Sequence, residues 1–536
     1  MPEHLKALVV LLALASAVFA FAKIPACTSA TSPADFSRRR NLWLGITAVS
    51  FLAHNFWVYM VAVTVILLLA AQREPNKLAM YFFLLFAVPA IPAQITGLGV
   101  IQHFFTIDYL RLLALVILFP AFLFLRKQPD TEPFGRTLPD KLLAGFLILQ
   151  IMLMMGISSF TNTLRIGVFY SFIDIFLPYY VASRGLRNLQ GFRDALMGFV
   201  LAALLLSVIG AFEFTRHWLL YSSLDVVLGA PWDLGDYLAR GPEGSDLRAQ
   251  GTAGQPIPFG YIMAVAMGFL LYLKSHAVKS TAWNLGLLML TIGLFTSLSR
   301  GPWVGAATIV IVFIATGPAP VKGFSRLGLL ALLVAPLLLT TDSGDKIMKL
   351  LPFIGTGGED TITYRERLAE ISMQVIRENP FFGAFDYFYS PAMQELRQGQ
   401  GIIDIVNTYL SIGLGNGLVG LSLFAGFFIV VAFGVFRGMR GLPDREGELY
   451  SLGRGLLATL LGIMVTIGTV SSITVIPVIY WSVAGLGVAY MHMLGVAKKT
   501  APLPQHRGPQ AMKVGPPGEQ RRNPRAGNVT ARAAGL

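Results

Sequence analysis

The stretch FTSLSRGPWVGAATIVIVFI, residues 295–314, places one arginine between two apolar segments. Only Gly301 and Pro302 separate Arg300 from the tryptophan that opens the second segment. A guanidinium in such surroundings is costly, about 2.5–3.5 kcal/mol at the centre of a membrane helix. We therefore expect two membrane helices joined by a tight turn, with an arginine that needs either a partner or a function.

The composition predicts the same class for the whole chain. Of 536 residues, 54% are hydrophobic and only 13% are charged. Apolar blocks of about 17–25 residues recur almost from end to end, and this length suits a helix that crosses a bilayer. The prediction is an all-α, polytopic membrane protein with roughly 12–15 transmembrane helices. Residues 78–95 are predicted as one span, whereas 41–53 is predicted as half of a hairpin or an interfacial helix.

The charges and the cysteine exclude several other classes. The net charge of +13 arises from lysines and arginines in short loops between apolar segments, so nucleic acid is not expected as a partner. The single cysteine, Cys27, excludes an intramolecular disulfide and a thiolate metal cage. The bilayer itself is the first predicted partner.

Residues 1–497 are predicted to form one membrane domain, followed by a disordered basic tail at 498–536. The tail is rich in proline, glycine and arginine and cannot bury a core. The distribution of lysine and arginine places this tail and the basic loops in the cytoplasm. Two long polar segments, 214–255 and 342–405, then lie on the opposite face together with the Arg300 turn.

The second polar segment contains an amphipathic helix. In TITYRERLAEISMQVIRENPFFG, residues 361–383, apolar side chains recur at near-helical spacing, and Asn379-Pro380 ends the pattern. Thr361 and Thr363 are candidate caps. A group of aromatic residues follows, and it suits either sugar stacking or an interfacial belt: Phe381, Phe382, Phe385, Tyr387, Phe388 and Tyr389.

Four motifs in order resemble one family. They are RAQGTAGQPIPFG at 248–260, SLSRGPW at 297–303, YRERLAEISMQVIRENPFFG at 364–383 and VNTYLSIGLGNGLVGLSLF at 406–424. This succession, which covers residues 248–425, resembles the O-antigen ligase and exopolysaccharide polymerase superfamily. No single motif is specific for the family, but the order of the four motifs around one large loop is.

The resemblance implies a C-type glycosyltransferase of cell-surface polysaccharide assembly in the bacterial inner membrane, with its large loop in the periplasm. The implied donor is an undecaprenyl-diphosphate-linked oligosaccharide, and the acceptor is the hydroxyl of a glycan or lipid. A chain-length regulator and a flippase are further implied partners. No cofactor is expected. Because the outer-face acidic residues are scattered and no histidine cluster is present, we also expect metal-independent catalysis.

Two arginines are the first candidates for catalysis. A guanidinium can grip two phosphate oxygens and stays charged at any relevant pH, so it suits a departing diphosphate. Arg300 matches the membrane-embedded arginine of the family, although an arginine that snorkels to headgroups gives the same pattern. Arg365 stands fifteen residues before Pro380, where the family places its loop arginine. A solvated helix face, paired with nearby glutamates, is the alternative for Arg365.

Substrate contacts are assigned to four further residues. Arg248 and Arg367 are candidates for holding sugar or phosphate, and for each an ordinary surface or interfacial arginine is the alternative. Asn407 and Tyr409 stand in the last motif that resembles the family.

The chain departs from the family at Val406, where ligases usually carry a histidine that helps to activate the acceptor hydroxyl. Asp404 is the candidate replacement, since a carboxylate near diphosphate can accept a proton. The alternative is that Asp404 caps a helix starting at Val406. The missing histidine favours a polymerase over an O-antigen ligase that transfers glycan to lipid A-core. A lipid-linked glycan flippase and a non-catalytic assembly component also remain open.

Overall fold

The computed structural model describes residues 1–97, 103–232, 239–240, 246–275, 280–340, 359–397 and 401–500. Helices dominate this part of the chain, so the predicted all-α class is confirmed. In the first half the α-helices are α1 Glu3–Ser29, α2 Pro33–Leu52, α3 Phe56–Gln72, α4 Lys77–Leu84, α5 Tyr109–Leu113, α6 Phe119–Lys127, α7 Leu138–Ile157, α8 Phe160–Asn162, α9 Leu177–Gly185 and α10 Leu189–Arg216.

The second half continues in the same way. Its α-helices are α11 Leu224–Leu228, α12 Pro256–Ser275, α13 Ser280–Thr296, α14 Arg300–Ala315, α15 Pro320–Thr340, α16 Glu359–Glu378, α17 Pro391–Gln394, α18 Thr408–Arg440, α19 Glu448–Ile467 and α20 Ile476–Thr500. Two π-helical segments, Ala114–Leu118 and Thr163–Phe176, and two 3-10 turns, Gly251–Ala253 and Tyr387–Tyr389, complete the helical elements that are described.

Short strands form two antiparallel pairs. Strand β1, Ala93–Thr96, pairs with β2, His103–Ile107, and β3, Ala239–Arg240, pairs with β4, Asp246–Leu247.

Nine helical segments in the described part of the chain are long and apolar enough to cross a membrane. They are Glu3–Ser29, Tyr109–Lys127, Leu138–Ile157, Phe160–Gly185, Leu189–Arg216, Pro256–Ser275, Thr408–Arg440, Glu448–Ile467 and Ile476–Gly495. Three shorter apolar helices, Phe56–Gln72, Thr281–Thr296 and Arg300–Ala315, add to them. The polytopic architecture is confirmed, and the nine full-length spans are fewer than the predicted count.

Two predicted segments differ in the structure. Residues 78–95 do not form one span, because Pro89 and Pro92 end the helical pattern after α4 and the chain turns into the β1–β2 hairpin. Residues 41–53 largely coincide with the second part of α2, which begins at Pro33 behind a Ser32 cap. The charged residues near the start of α2 obscured the helix in the sequence.

Small residues bring α14 and α19 into close contact. A Cβ added to Gly305 would lie 1.9 Å from Thr466 Oγ1, and one added to Gly462 would lie 2.3 Å from Ile309 Cγ1. Glycines at a helix interface let backbones approach in this way. The contact continues to the first turn of α14, where a Cβ on Gly301 would lie 2.4 Å from Thr469 Oγ1. The start of α14 is thereby fixed against the segment that follows α19.

The helical bundle has two ends, which are called the Arg300 end and the Arg437 end after one arginine at each. Helix α10 connects them, since Asp194 in its first turns and Glu213 in its last turn are separated by about 29 Å at 1.5 Å per residue. Helix α18 runs in the opposite direction, from Thr408 at the Arg300 end to Arg440. The residues predicted to carry the chemistry gather at the Arg300 end.

Candidate active site

The predicted turn between two apolar helices is present. Helix α13 ends at Thr296 and α14 begins at Arg300. Leu298 adopts a left-handed conformation with φ 45°, and the indole of Trp303 donates to the carbonyl of Leu294 at 3.0 Å, which closes the turn. Arg300 is therefore the first residue of α14, where the helix dipole adds to its positive charge.

The structure brings Arg248 to the same turn. The Nε of Arg248 donates to the carbonyl of Ser297 at 3.2 Å, and its Nη2 donates to Ser299 Oγ at 2.7 Å. Arg248 is buried. Ser299, the residue that precedes α14, is thus engaged by this guanidinium. The two arginines, 52 positions apart in sequence, lie on either side of one serine-rich turn.

A buried glutamate orders the segment next to Arg248. The carboxylate of Glu213, near the end of α10, accepts hydrogen bonds from the backbone N–H groups of Leu220 at 3.2 Å, Gln250 at 3.2 Å and Gly251 at 2.9 Å. Gly251 has φ 50°, a conformation that suits glycine. Glu213 is not among the predicted site residues, although an acid inside an apolar segment is a signal for a site.

Arg365 enters the site from α16. Its Nη2 donates to the carbonyl of Thr469 at 3.2 Å, while its Nε is buried without a hydrogen-bond partner in the described part of the chain. Burial lowers the pKa of Arg365, the carboxylate of Asp404 raises it, and the positive charge of Arg300 lowers it. Arg365 stays protonated at neutral pH, because an arginine begins from so high a pKa. The two arginines predicted for catalysis therefore lie within electrostatic reach of each other.

Asp404 lies on the same side of the cluster. Its Oδ1 accepts a hydrogen bond from Ser471 Oγ at 2.9 Å. Its backbone is held by Tyr364, whose hydroxyl donates to the Asp404 carbonyl at 3.0 Å and accepts from the Asp404 N–H at 3.1 Å. Because Tyr364 precedes Arg365 on α16, the carboxylate and the guanidinium are positioned by one element.

The capping role considered for Asp404 is wrong. Helix α18 begins at Thr408, and its cap is Asn407, whose side chain accepts from the N–H groups of Tyr409 at 2.9 Å and Leu410 at 3.2 Å. The carboxylate of Asp404 points to Ser471 instead. The proposed caps of α16 are also wrong, because that helix begins at Glu359, before Thr361 and Thr363.

The three other residues assigned to substrate have structural contacts. Asn407 caps α18, and the hydroxyl of Tyr409 donates to the carbonyl of Met464 at 2.8 Å. Arg367 points away from the cluster and pairs with Glu395 at 2.8 Å, with 57% of its side chain exposed. The structure thus separates Arg367 from Arg248, Arg300 and Arg365.

The segment between α19 and α20 joins these parts, and none of its residues was predicted for the site. The carbonyl of Thr469 accepts from Arg365, and that of Val470 accepts from the backbone N–H of Thr408 at 3.1 Å and from its hydroxyl at 2.9 Å. Ser471 holds Asp404, and Ser472 contacts Thr408 at 3.0 Å. In the sequence this stretch is a four-residue polar interruption, TVSS, between two apolar blocks.

The cluster combines three guanidiniums, a helix N-terminus and one carboxylate at the mouth of a helical membrane domain. Such an arrangement can bind a polyanion and accept a proton beside it. Among the residues that the structure describes, no group of three or more histidine, cysteine, aspartate or glutamate side chains is placed to hold a metal ion.

The fold and the cluster define a class, a multi-pass membrane protein with a cationic site at one end of its helices. Residues 285–425 match a family model described as O-antigen ligase. This match confirms the resemblance to the O-antigen ligase and polymerase superfamily in this region of the chain. The match covers the Arg300 turn, α16 and the start of α18, while Arg248 and Ser471 lie outside it. No curated protein matches the chain. The family supports a role in polysaccharide assembly as a ligase or a polymerase.

Proposed function

We propose that the protein is a membrane glycosyltransferase that polymerises glycan units carried on undecaprenyl diphosphate. The observation that carries the proposal is the convergence of Arg300, Arg365 and Asp404, which come from three separate parts of the chain. Cations and a candidate base within one site match what glycosyl transfer from a lipid diphosphate requires.

The Arg300 end is assigned to the outer side of the bacterial inner membrane. Arg437 and Arg440 lie in the last turn of α18, at the opposite end, and arginines in short loops favour the cytoplasm. The basic tail at 498–536, predicted as disordered, falls mostly outside the described residues and is assigned to the cytoplasm on the same ground. Residues 1–497 are proposed as the single membrane domain.

The arginines act on the leaving group. As the bond between the anomeric carbon and the diphosphate oxygen breaks, its electron pair moves to the diphosphate. Arg300 and Arg365 stabilise the charge that develops there, and the N-terminus of α14 adds to the field. Arg248 orients the Arg300 turn through Ser297 and Ser299, within reach of the same diphosphate. In this proposal guanidiniums, rather than a metal ion, stabilise the negative charge on the departing diphosphate.

Asp404 acts on the acceptor. The acceptor hydroxyl oxygen attacks the anomeric carbon from the face opposite the diphosphate, which inverts the configuration, and its proton passes to Asp404. Ser471 donates a hydrogen bond to Oδ1 and so orients the carboxylate.

The polymerase is favoured over the ligase by residue 406. Where family ligases are expected to carry a histidine, Val406 packs against a small apolar cluster that includes Leu368 and Ile405. No imidazole is available at that position to activate the acceptor. O-antigen ligase activity is the second candidate, because the matching family model carries that description. Both activities use the same donor and the same arginines.

The test uses the purified protein in detergent with a lipid-linked repeat unit. We expect the wild-type protein and Arg326→Ala, which removes an exposed arginine from α15, to lengthen the glycan. Arg300→Ala and Arg300→Lys should both fail at normal protein levels, because an ammonium lacks the planar fork of a guanidinium. Long polymer from Arg300→Ala would refute the assignment.

The same preparation separates the other classes. A flippase moves the lipid-linked unit across vesicle membranes without lengthening it, and an assembly component does neither. Transfer of one preformed glycan to a lipid A-core acceptor, without extension of the repeat unit, would replace the polymerase with the ligase.

A further inference from the structure

Helix α18 is broken, and the turn after α16 fills the break. Gly417 has φ 63° and ψ −169°, which interrupts the hydrogen bonding of the helix. The N–H groups of Leu418 and Val419 donate instead to the carbonyls of Pro380 at 2.8 Å and Phe381 at 3.1 Å. In return the N–H of Ala384 donates to the carbonyl of Leu414 at 2.8 Å. Backbone hydrogen bonds thus fasten residues 380–384 to α18.

Two glycines make this contact possible. A Cβ on Gly417 would lie 2.3 Å from the carbonyl oxygen of Phe381, and a Cβ on Gly383 would lie 2.3 Å from the carbonyl oxygen of Leu414. Both residues have positive φ, which favours glycine. The position of Phe381 and Phe382 relative to α18 is therefore fixed by the backbone rather than by their own side chains.

The break lies at a defined depth. From Gly417 to Arg437 there are 20 residues, and at 1.5 Å per residue this is about 30 Å, the thickness of the hydrocarbon core. With Arg437 and Arg440 at one boundary of the core, Leu418 stands at the other. The Phe381–Phe382 turn is hydrogen-bonded at that same level.

The turn also lies beside the face of α18 that points outward. Leu418, Ile429 and Phe433 are exposed and recur at helical spacing along one stripe of the helix. Phe381 is 68% exposed and Phe382 is 54% exposed beside the first residues of this stripe. The two phenylalanines continue the exposed apolar stripe of α18.

Sugar stacking fits these two residues poorly. Arg365 and Glu378 are 13 residues apart on α16, so about 20 Å of helix separates the arginine from the turn that follows. A sugar undergoing transfer at Arg365 lies too far away to stack on Phe381. The position of the turn along α18 and the exposure of both rings favour contact with acyl chains.

We propose that Phe381 and Phe382 insert into the membrane leaflet at the Arg300 end and bind phospholipid acyl chains. Through the backbone clamp on α18, this insertion holds the end of α16 at the surface of the membrane. Arg365, on the same helix, is thereby kept at the mouth of the domain. The anchoring does not depend on the chemistry assigned to the site.

The test measures the depth of a nitroxide label in bilayers of phosphatidylethanolamine and phosphatidylglycerol. Cys27→Ala removes the only cysteine, and single cysteines are then introduced by Phe382→Cys, by Phe433→Cys as the lipid control and by Glu370→Cys as the water control. Collision with oxygen should exceed collision with a nickel chelate at 382 and 433, and the reverse should hold at 370. A label at 382 that behaves like the label at 370 would overturn the proposal.

Two further variants separate the role of the side chain from that of the backbone clamp. Phe381→Leu should leave the label at 382 in lipid, whereas Gly383→Val, whose side chain would clash with the carbonyl of Leu414 and open the clamp, should shift the label toward water. Protection of the label by added lipid-linked glycan, with no dependence on the bilayer, would instead assign the turn to sugar. If Phe382→Cys does not fold, a label at Phe381→Cys reports the same depth. The readout needs no turnover, so a failed glycosyl transfer leaves it unaffected.

Discussion

Arg39 and Arg365, at opposite ends of the membrane domain, have different kinds of hydrogen-bond partners. At the Arg437 end, Arg39 pairs with Glu74 at 2.6 Å and Asp194 at 2.7 Å, and its side chain is only 1% exposed. At the Arg300 end, Arg365 donates to the carbonyl of Thr469 and makes no ion pair within 4 Å in the described part of the chain.

This difference separates structural charge from functional charge. A buried guanidinium that is neutralised by carboxylates holds helices together, and its electrostatic attraction for an anionic ligand is weak. A guanidinium held by neutral oxygens is not neutralised, so it can still attract and bind an anion. The comparison predicts that Arg39 affects stability and that Arg365 affects catalysis.

The largest effect is expected for Arg39→Ala. It removes the cation that pairs with Asp194 and leaves Glu74 with Arg38 alone, and breaking such a buried pair costs about 3–5 kcal/mol. The free energy of unfolding in mixed micelles should fall by that amount. Arg40→Ala, which removes the neighbouring arginine with its bond to Asn41, is the control and should change little. Equal stability of the two variants would contradict the structural role.

Arg365→Ala should have the opposite effect, a loss of activity with little loss of stability. Loss of one group that stabilises the leaving charge lowers the rate about 100- to 1000-fold, while the free energy of unfolding stays close to that of the wild type. Arg367→Ala, two positions along α16 and exposed, is the matched control. The rate of glycan extension and the unfolding curve, measured on the same preparation, check both parts. Active Arg365→Ala protein would remove this residue from the site.

Asp404→Asn is expected to cost about 100-fold in rate, the lower end of what a general base contributes. The amide can still accept the hydrogen bond from Ser471, so the fold is retained. Asp404→Glu, which restores a carboxylate, should recover part of the rate. Since Asn407 caps α18, loss of a cap cannot explain the effect. Full activity of Asp404→Asn would leave the transfer without its assigned base.

Ser471→Ala is expected to have the smallest effect. It removes one hydrogen bond to Asp404, worth about 1 kcal/mol, or roughly a fivefold change in rate. If Ser471 acts through the carboxylate, its loss in the Asp404→Asn background should add less than it does alone. A double-mutant cycle of rates measures this coupling. Additive effects would make Ser471 a residue of the fold only.

Several features were predictable because their signals are local. The helices α13 and α14, the turn at Arg300 and the amphipathic α16 follow from runs of apolar residues, helical spacing and Asn379-Pro380. The errors had local causes as well. Prolines ended the predicted 78–95 span, and Asn407, next to the expected start of the helix, provides the cap that Asp404 does not.

The amino-acid sequence by itself determined the membrane class and the residue types of the site, because hydropathy and helical periodicity act over a few turns. Only the tertiary structure decided which charges meet. Glu213, Arg248, Asp404 and Ser471 join the site through packing between segments that are distant in the chain. The tertiary structure also determines why Arg39 and Arg365 have different partners. The partners of a side chain depend on which helices pack together, and no local sequence pattern encodes this packing.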